Sequence, residues 1–292
     1  MASKEEKIVP IRGGAAPAFT FGAEPDDLPE VNLAIPSTAK AKAAAEVMQG
    51  VDLSDKPRIL LVAGRGRLGK TTGLRWMTET ALSGGRTVQM GDLDPTNASF
   101  STYFKGVHRP GDADNPVLAL KWLEQFISFS LQNKLNTVID LGGGDTTLRR
   151  LVDDLPELPG MVAEMGAALA LLYFVGGQVD DLSPIAAMLD RDFQPEATAI
   201  VQNEAMVEPG QTREQAFARV HKHSVFQASA ARRAVPVWMP RLMVADAIEA
   251  RRCGFLDAQD GKAGLGPFDR SRVRAWLHSM SANFAGVQTW LP

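Results

Sequence analysis

An eight-residue run, Gly64-Arg65-Gly66-Arg67-Leu68-Gly69-Lys70-Thr71, followed by Thr72, constrains this chain more than any other feature. A short apolar segment, Ile59-Leu60-Leu61-Val62-Ala63, precedes it, and a helical pattern follows from Lys70 to Ser83, stopped by Gly84-Gly85. The apolar segment reads as a strand covered on both faces. The run fits the pattern G-x-x-x-x-G-K-[ST] in full, and strand before with helix after is the context in which that pattern cradles phosphate. Its glycines let backbone N–H groups curl around phosphate oxygens, while the helix N-terminus adds partial positive charge. Lys70 is expected to bridge the β- and γ-phosphates and the Thr71 hydroxyl to ligate Mg²⁺. The competing reading is a glycine-rich turn that merely joins strand to helix. A chance match arises in only on the order of one per cent of chains of this length, which favours the phosphate reading.

Downstream the rhythm of strand, turn and helix repeats. Further strand candidates are Thr87 to Asp92, Thr137 to Asp140, Leu169 to Val175, Ala197 to Gln202 and Val235 to Met239. Helical patterns run from Pro116 to Gln132, Ser183 to Leu189, Arg213 to Val220 and Ala245 to Arg252. Short strands alternating with helices predict an α/β fold, a doubly wound and mostly parallel sheet with helices on both faces. Ligands of such sheets sit at the carboxyl ends of the strands, where every motif of this chain falls.

Two strand ends carry acids. Val138-Ile139-Asp140, leading into Leu141-Gly142-Gly143-Gly144, has the carboxylate expected on the metal side of a nucleotide site. Its glycines would let the loop close near a γ-phosphate and change shape when that group leaves. The other end is Gly91-Asp92-Leu93-Asp94-Pro95-Thr96-Asn97. Alone, Asp92-Leu93-Asp94-Pro95 reads more readily as a capping turn. In order with the other two motifs, the functional reading is favoured.

On these residues, the region from Arg58 to about Arg252 resembles the deviant-Walker ATPases of the MinD/ParA group, which includes plasmid-partition and conjugal-transfer accessory proteins. The resemblance rests on the Walker A run, the D-x-D-P-type switch I, the Walker B strand, and Ile200-Val201-Gln202-Asn203. It extends to Val237-Trp238-Met239-Pro240-Arg241 and the helix from Ala245. It implies ATP/ADP with Mg²⁺ as cofactors and an ATP-dependent homodimer. It also implies a hydrolytic role for Lys70, Asp94 and, in the place of the signature lysine, Arg65, magnesium-side roles for Thr71, Asp140 and Asp92, and adenine contacts for Asn203 and the loop at Pro240. No N-K-x-D guanine motif is present, since Glu204, Ala205 and Met206 follow Asn203. The chain also departs from the family pattern K-G-G-x-G-K-[ST]. Arg65 stands where the signature lysine would be, Arg67 replaces the second glycine, and Thr96 replaces the glutamine after D-x-D-P. Arginine donates as a planar fork and does not substitute freely for lysine. Slow, partner-stimulated hydrolysis is therefore expected, with binding more secure than turnover.

Elsewhere the sequence mainly excludes. Lys+Arg 31 against Asp+Glu 34 gives −3, so the whole chain is no polycation. The pairs Arg149-Arg150, Arg232-Arg233 and Arg251-Arg252 leave open a DNA-binding face, with surface arginines the favoured reading. One cysteine, Cys253, excludes an intramolecular disulfide. The start, Lys4-Glu5-Glu6-Lys7, lacks the apolar stretch of a secretory signal, so a reduced, cytoplasmic protein is expected. Residues 1–56, rich in proline and without hydrophobic periodicity, read as a tail that is flexible or lies along the body, with an Ala-rich helix from Ser37 to Met48; residues 57–292 form the ATPase domain. His221-Lys222-His223 reads as solvated helix surface in preference to a metal site. Val273, Trp276, Leu277, Met280, Phe284 and Val287 form a stripe on a C-terminal helix capped by Asp269 or Ser271. Packing on the sheet is favoured over membrane binding, because the polar face lacks a dense basic row.

The expected function is a nucleotide-dependent switch read by an unidentified protein partner. A small-molecule kinase or ligase on the same scaffold, or a non-hydrolysing ATP-binding adaptor, are the alternatives.

Overall fold

A computed structural model describes residues 47–94, 99–142 and 146–292. Its centre is a six-stranded sheet in the order β2-β3-β1-β4-β5-β6. The strands are β1 (Arg58–Ala63), β2 (Val88–Asp92), β3 (Asn136–Asp140), β4 (Ala168–Val175), β5 (Ala197–Asn203) and β6 (Val235–Met239). All neighbouring pairs are parallel, so the predicted doubly wound α/β architecture is the one found. All residues of β1 and β4 are buried, as continuous apolar runs at the middle of a parallel sheet require.

Alternation along the strands divides the core in two. Leu60 and Val62 of β1 face a layer built from α1 (Lys70–Ser83), α2 (Ser99–Tyr103), α9 (Ala245–Arg251), α10 (Phe255–Gln259) and α11 (Pro267–Asn283). Ile59, Leu61 and Ala63 face the other layer. That layer comprises α3 (Pro116–Gln132), α4 (Thr146–Asp154), α5 (Leu158–Glu164), α6 (Ser183–Asp190), α7 (Arg213–Lys222) and α8 (Ser224–Ala231). The free edge of β2 is covered by a short parallel bridge, with Asp92 N donating to His108 O and His108 N to Met90 O.

The C-terminal stripe is buried on the sheet as expected, with Val273 and Met280 fully enclosed. The cap differs: α11 begins at Pro267 behind Gly266, so Asp269 lies inside its first turn. Proline at the first helical position sets the start without a side-chain cap. Most of the expected helix over 37–48 lies outside the described residues; Val47 and Met48 are not helical. Residues 47–53 lie along the C-terminal segment, where Gly50 N donates to Gly286 O and Trp290 Nε1 to Val51 O. His221 departs from the solvated-surface expectation. It is half-buried among Phe217, Phe226 and Trp238, with Nε2 on the buried Gln202 side chain. Burial lowers its pKa. Among the described residues no helix is long and apolar enough to cross a membrane, and no group of His, Cys, Asp and Glu is arranged to hold a metal by itself.

Candidate functional site

The loop from Gly64 to Gly69 joins the end of β1 to α1 by three left-handed residues. Gly64 has φ +140°, and a Cβ there would lie 2.5 Å from Phe174 O, so only glycine lets the loop leave between β1 and β4. Gly69 has φ +85° and a Cβ there would meet Asn203 Nδ2 at 2.5 Å. Arg67, standing where the resembled family has glycine, still takes φ 64°. The backbone thus keeps a glycine-type conformation at a cost of about 1–2 kcal/mol. Gly66 and Arg67 are exposed, Leu68 is buried under the loop, and Thr72 is half-buried.

Lys70 opens α1 with only 6% of its surface exposed. Its Nζ donates to Arg65 O at 2.9 Å, folding the loop over its own lysine. Burial lowers the ammonium pKa, opposed by the charges of Asp140 and Asp94. The start of α1 has neither a side-chain cap nor an acidic residue in its first turn, which leaves its N–H groups and dipole to a ligand.

Thr71 Oγ1 donates to Asp140 Oδ2 at 3.1 Å, and Gly142 N to Asp140 Oδ1 at 3.0 Å. Asp140 is 1% exposed, and burial raises its pKa. A hydroxyl at the start of α1 and a carboxylate at the end of β3 are the kind of donors that Mg²⁺ uses beside phosphate and water oxygens. A buried carboxylate whose charge is penalised fits a cation.

Asp92 lies opposite Asp140 in the β2–β3 register and is fully buried. Its Oδ1 accepts Asp94 N at 3.0 Å and its Oδ2 accepts Ser101 N at 3.1 Å. The carboxylate therefore ties the segment after β2 to the first turn of α2. Burial raises its pKa. Asp94 is half-buried, and its carbonyl accepts from Arg109 at 2.8 Å. Gly142 approaches it so closely that a Cβ there would lie 3.0 Å from Asp94 Cα. The segments after β2 and β3 thus meet. Residues 95–98 and 143–145, with Pro95, Thr96 and the rest of the glycine run, lie outside the described residues.

Arg65 is half-exposed and turns to the segment after β4, with NH1 3.4 Å from Asp181 Oδ1 and 4.0 Å from Asp180 Oδ2. Asp181 also accepts Gly176 N at 3.0 Å and Gln178 N at 3.3 Å, so it is the fixed member of the pair. Sequence reasoning missed Asp181. The signal was there, two acids following Gly176-Gly177 at the carboxyl end of the most apolar strand.

On the other side, Asn203 ends β5 fully enclosed. Its Nδ2 donates to Leu68 O at 2.9 Å and its Oδ1 accepts Ala205 N at 2.9 Å. Arg241, next to Pro240, donates to the carbonyls of Ala205 and Val207. Pro240 O accepts Trp276 Nε1 at 2.8 Å. Between Arg241 and the 204–214 segment opens a cavity of about 570 Å³. The structure brings together Gly64 to Thr71, Asp92, Asp94, Asp140 and Asn203. Pro240 lies beyond Asn203 on the neighbouring strand, since Asn203 pairs with Met239.

No family model matches this sequence, and no curated protein matches it. Among solved structures, the chain is similar to FtsY from Mycoplasma mycoides, with 12% identity over 60% of this chain and 61% of that one and a TM-score of 0.40. It is also similar to the signal recognition particle receptor FtsY from Elizabethkingia anophelis in complex with GDP, with 18% identity over 64% and 57% and a TM-score of 0.38. Chloroplast FtsY from Physcomitrella patens gives 14% identity over 81% and 70%, with a TM-score of 0.42. The chain spans 61% and 57% of the first two in length.

Proposed function

We propose that this chain is a magnesium–nucleotide switch of the MinD/ParA type that prefers ATP and hydrolyses it slowly. One observation carries the reading. Lys70, Thr71 and Asp140 converge where a glycine-shaped loop meets a helix start with no cap of its own. In that arrangement the loop amides and Lys70 hold the terminal phosphates and lower their mutual repulsion. Thr71 and Asp140 would hold Mg²⁺, which neutralises charge on the same phosphates. Asp94, carried on the segment that Asp92 fixes, stands on the hydrolytic side, and Asp140 and Gly142 shape the adjoining loop. Preference for adenine is supported by the absence of an N-K-x-D carboxylate after Asn203. Service in plasmid partition or conjugal transfer, and an ATP-dependent homodimer, follow from the family resemblance.

A second reading, an ATP-binding adaptor without turnover, is favoured by the pairing of Arg65 with Asp181. An arginine held there is not free to neutralise charge at the phosphates. Phosphate release by wild type and Asp94→Ala, with particle size measured in MgADP and in a slowly hydrolysed MgATP analogue, separates the two. The switch predicts wild-type turnover lost in Asp94→Ala and a dimer with the triphosphate analogue. Tight binding without turnover, and a monomer in both nucleotides, selects the adaptor.

A further inference from the structure

Arg75 lies one helical turn beyond Thr71 and is 3% exposed, yet no carboxylate pairs with it directly among the described residues. Its charge is met by two aromatic faces, with the guanidinium 3.3 Å from the Tyr103 ring centre and 4.4 Å from that of Phe255. NH2 donates to Cys253 O at 2.9 Å, and Nε has no hydrogen-bond partner. Burial lowers its pKa even so. A buried cation compensated by ring faces together with the nearby Glu79 charge depends on both rings staying in place.

The two rings belong to different parts of the molecule. Tyr103 is the last residue of α2, the short helix whose first turn is held by Asp92 behind the switch segment. Phe255 opens α10, whose N–H groups at Phe255 and Leu256 donate to the half-buried Glu79 carboxylate at 2.7 and 3.2 Å. Glu79 is one turn beyond Arg75 on α1, so two charged residues of one helix face grip α10 together. From α10 the contact continues, with Phe255 packed 4.8 Å from Trp276, whose Nε1 holds Pro240 O beside Arg241.

We propose that Arg75 is a relay: it transmits the position of the switch segment after Asp92, through Tyr103, to Phe255, α10 and the Pro240 loop. The relay rests on the switch reading above and adds to it a route by which the phosphate end of the site reports to the C-terminal helices. A γ-phosphate that draws Asp94 N off Asp92 Oδ1 changes the same carboxylate's hold on Ser101 N, and α2 shifts. Tyr103 then changes its cover of Arg75, and the hold on α10 changes with it. Neither Tyr103 nor Phe255 belongs to the phosphate site.

Hydrogen exchange tests this on the full chain, loaded with MgADP or with a slowly hydrolysed MgATP analogue. In wild type, the amides of 253–259 are expected to differ in exchange rate at least about fivefold between the two nucleotides. In Tyr103→Leu that difference falls below about twofold, while protection of 64–71 by either nucleotide persists. Tyr103→Phe, which keeps the ring, retains the wild-type difference. The relay is overturned if wild type responds at 99–103 but not at 253–259, or if Tyr103→Leu keeps the full difference. Absence of protection at 64–71 in wild type is a distinct outcome, which removes the switch reading and the relay with it.

Discussion

The side-chain amide of Asn203 donates to the carbonyl oxygen of Leu68 across 2.9 Å, joining the end of β5 to the phosphate loop from below. Its oxygen is also engaged, by Ala205 N. Asn203 therefore positions the loop and the segment that follows β5. Asn203→Ala strands the buried Leu68 carbonyl and frees the more exposed Ala205 N–H, a loss of about 1–3 kcal/mol in stability. Urea unfolding measures that loss. Titration should show ATP and GTP weakened by similar factors, about tenfold; a loss confined to adenine nucleotides would mean that the residue reads the base instead.

Gly69 sits where the same asparagine leaves no room. With φ +85° and a Cβ 2.5 Å from Asn203 Nδ2 and 2.6 Å from Met239 Cε, Gly69→Ala strains the backbone and pushes two buried side chains. The expected cost is about 2–4 kcal/mol. Thermal unfolding should show Gly66→Ala, where a Cβ meets nothing within 4 Å, close to wild type. Equal effects of the two substitutions would contradict the described loop.

Asp140 is costly to ionise where it stands, since burial raises its pKa. Asp140→Asn keeps the acceptor for Gly142 N and removes the charge. The nucleotide-free protein should gain about 1 kcal/mol in stability. Binding should lose its magnesium dependence, checked by titrating nucleotide with and without Mg²⁺. A variant that binds as before, with magnesium still required, would place the metal elsewhere.

Glu79 gives the pH dependence. Its pKa is raised chiefly by burial, which outweighs the Leu256 and Phe255 N–H groups and Arg75. The folded state therefore holds this proton more tightly than the unfolded chain. The stability so gained is complete below the ordinary carboxylate range and is lost as pH rises through the raised folded value. Glu79→Gln should be the more stable protein at pH 7, with its advantage shrinking toward pH 4. Denaturant midpoints of both proteins across that range decide it; an advantage that grows on acidification contradicts the assignment.

Much of this architecture was legible because periodicity and punctuation agree. The apolar runs of β1 and β4, the glycines flanking α1 and the acids ending β2 and β3 place the sheet and the loop on which the candidate site is built. Helices α2, α4, α5, α8 and α10, of five to nine residues, were missed. Segments so short carry little more than two turns of periodic signal, and tertiary packing decides them. His221 was misjudged because its neighbours Lys222 and His223 suggest solvent, whereas Phe217 one turn back, Phe226 on the next helix and Trp238 on β6 close around it. Arg75 and Glu79 were hidden for a related reason. A charge inside a helix reads as surface until the aromatic and backbone partners around it are known.

The central claim is that the amides of 64–71 and the ammonium of Lys70 bind the terminal phosphates of a magnesium nucleotide. Calorimetric titration of the folded wild-type protein and of Lys70→Ala with MgATP and MgGTP tests it most directly. The account predicts saturable heat with wild type, tighter for MgATP, and affinity at least about a hundredfold weaker in Lys70→Ala, some 2.7 kcal/mol. No heat from either nucleotide with folded wild type, or equal binding by the two proteins, would contradict it.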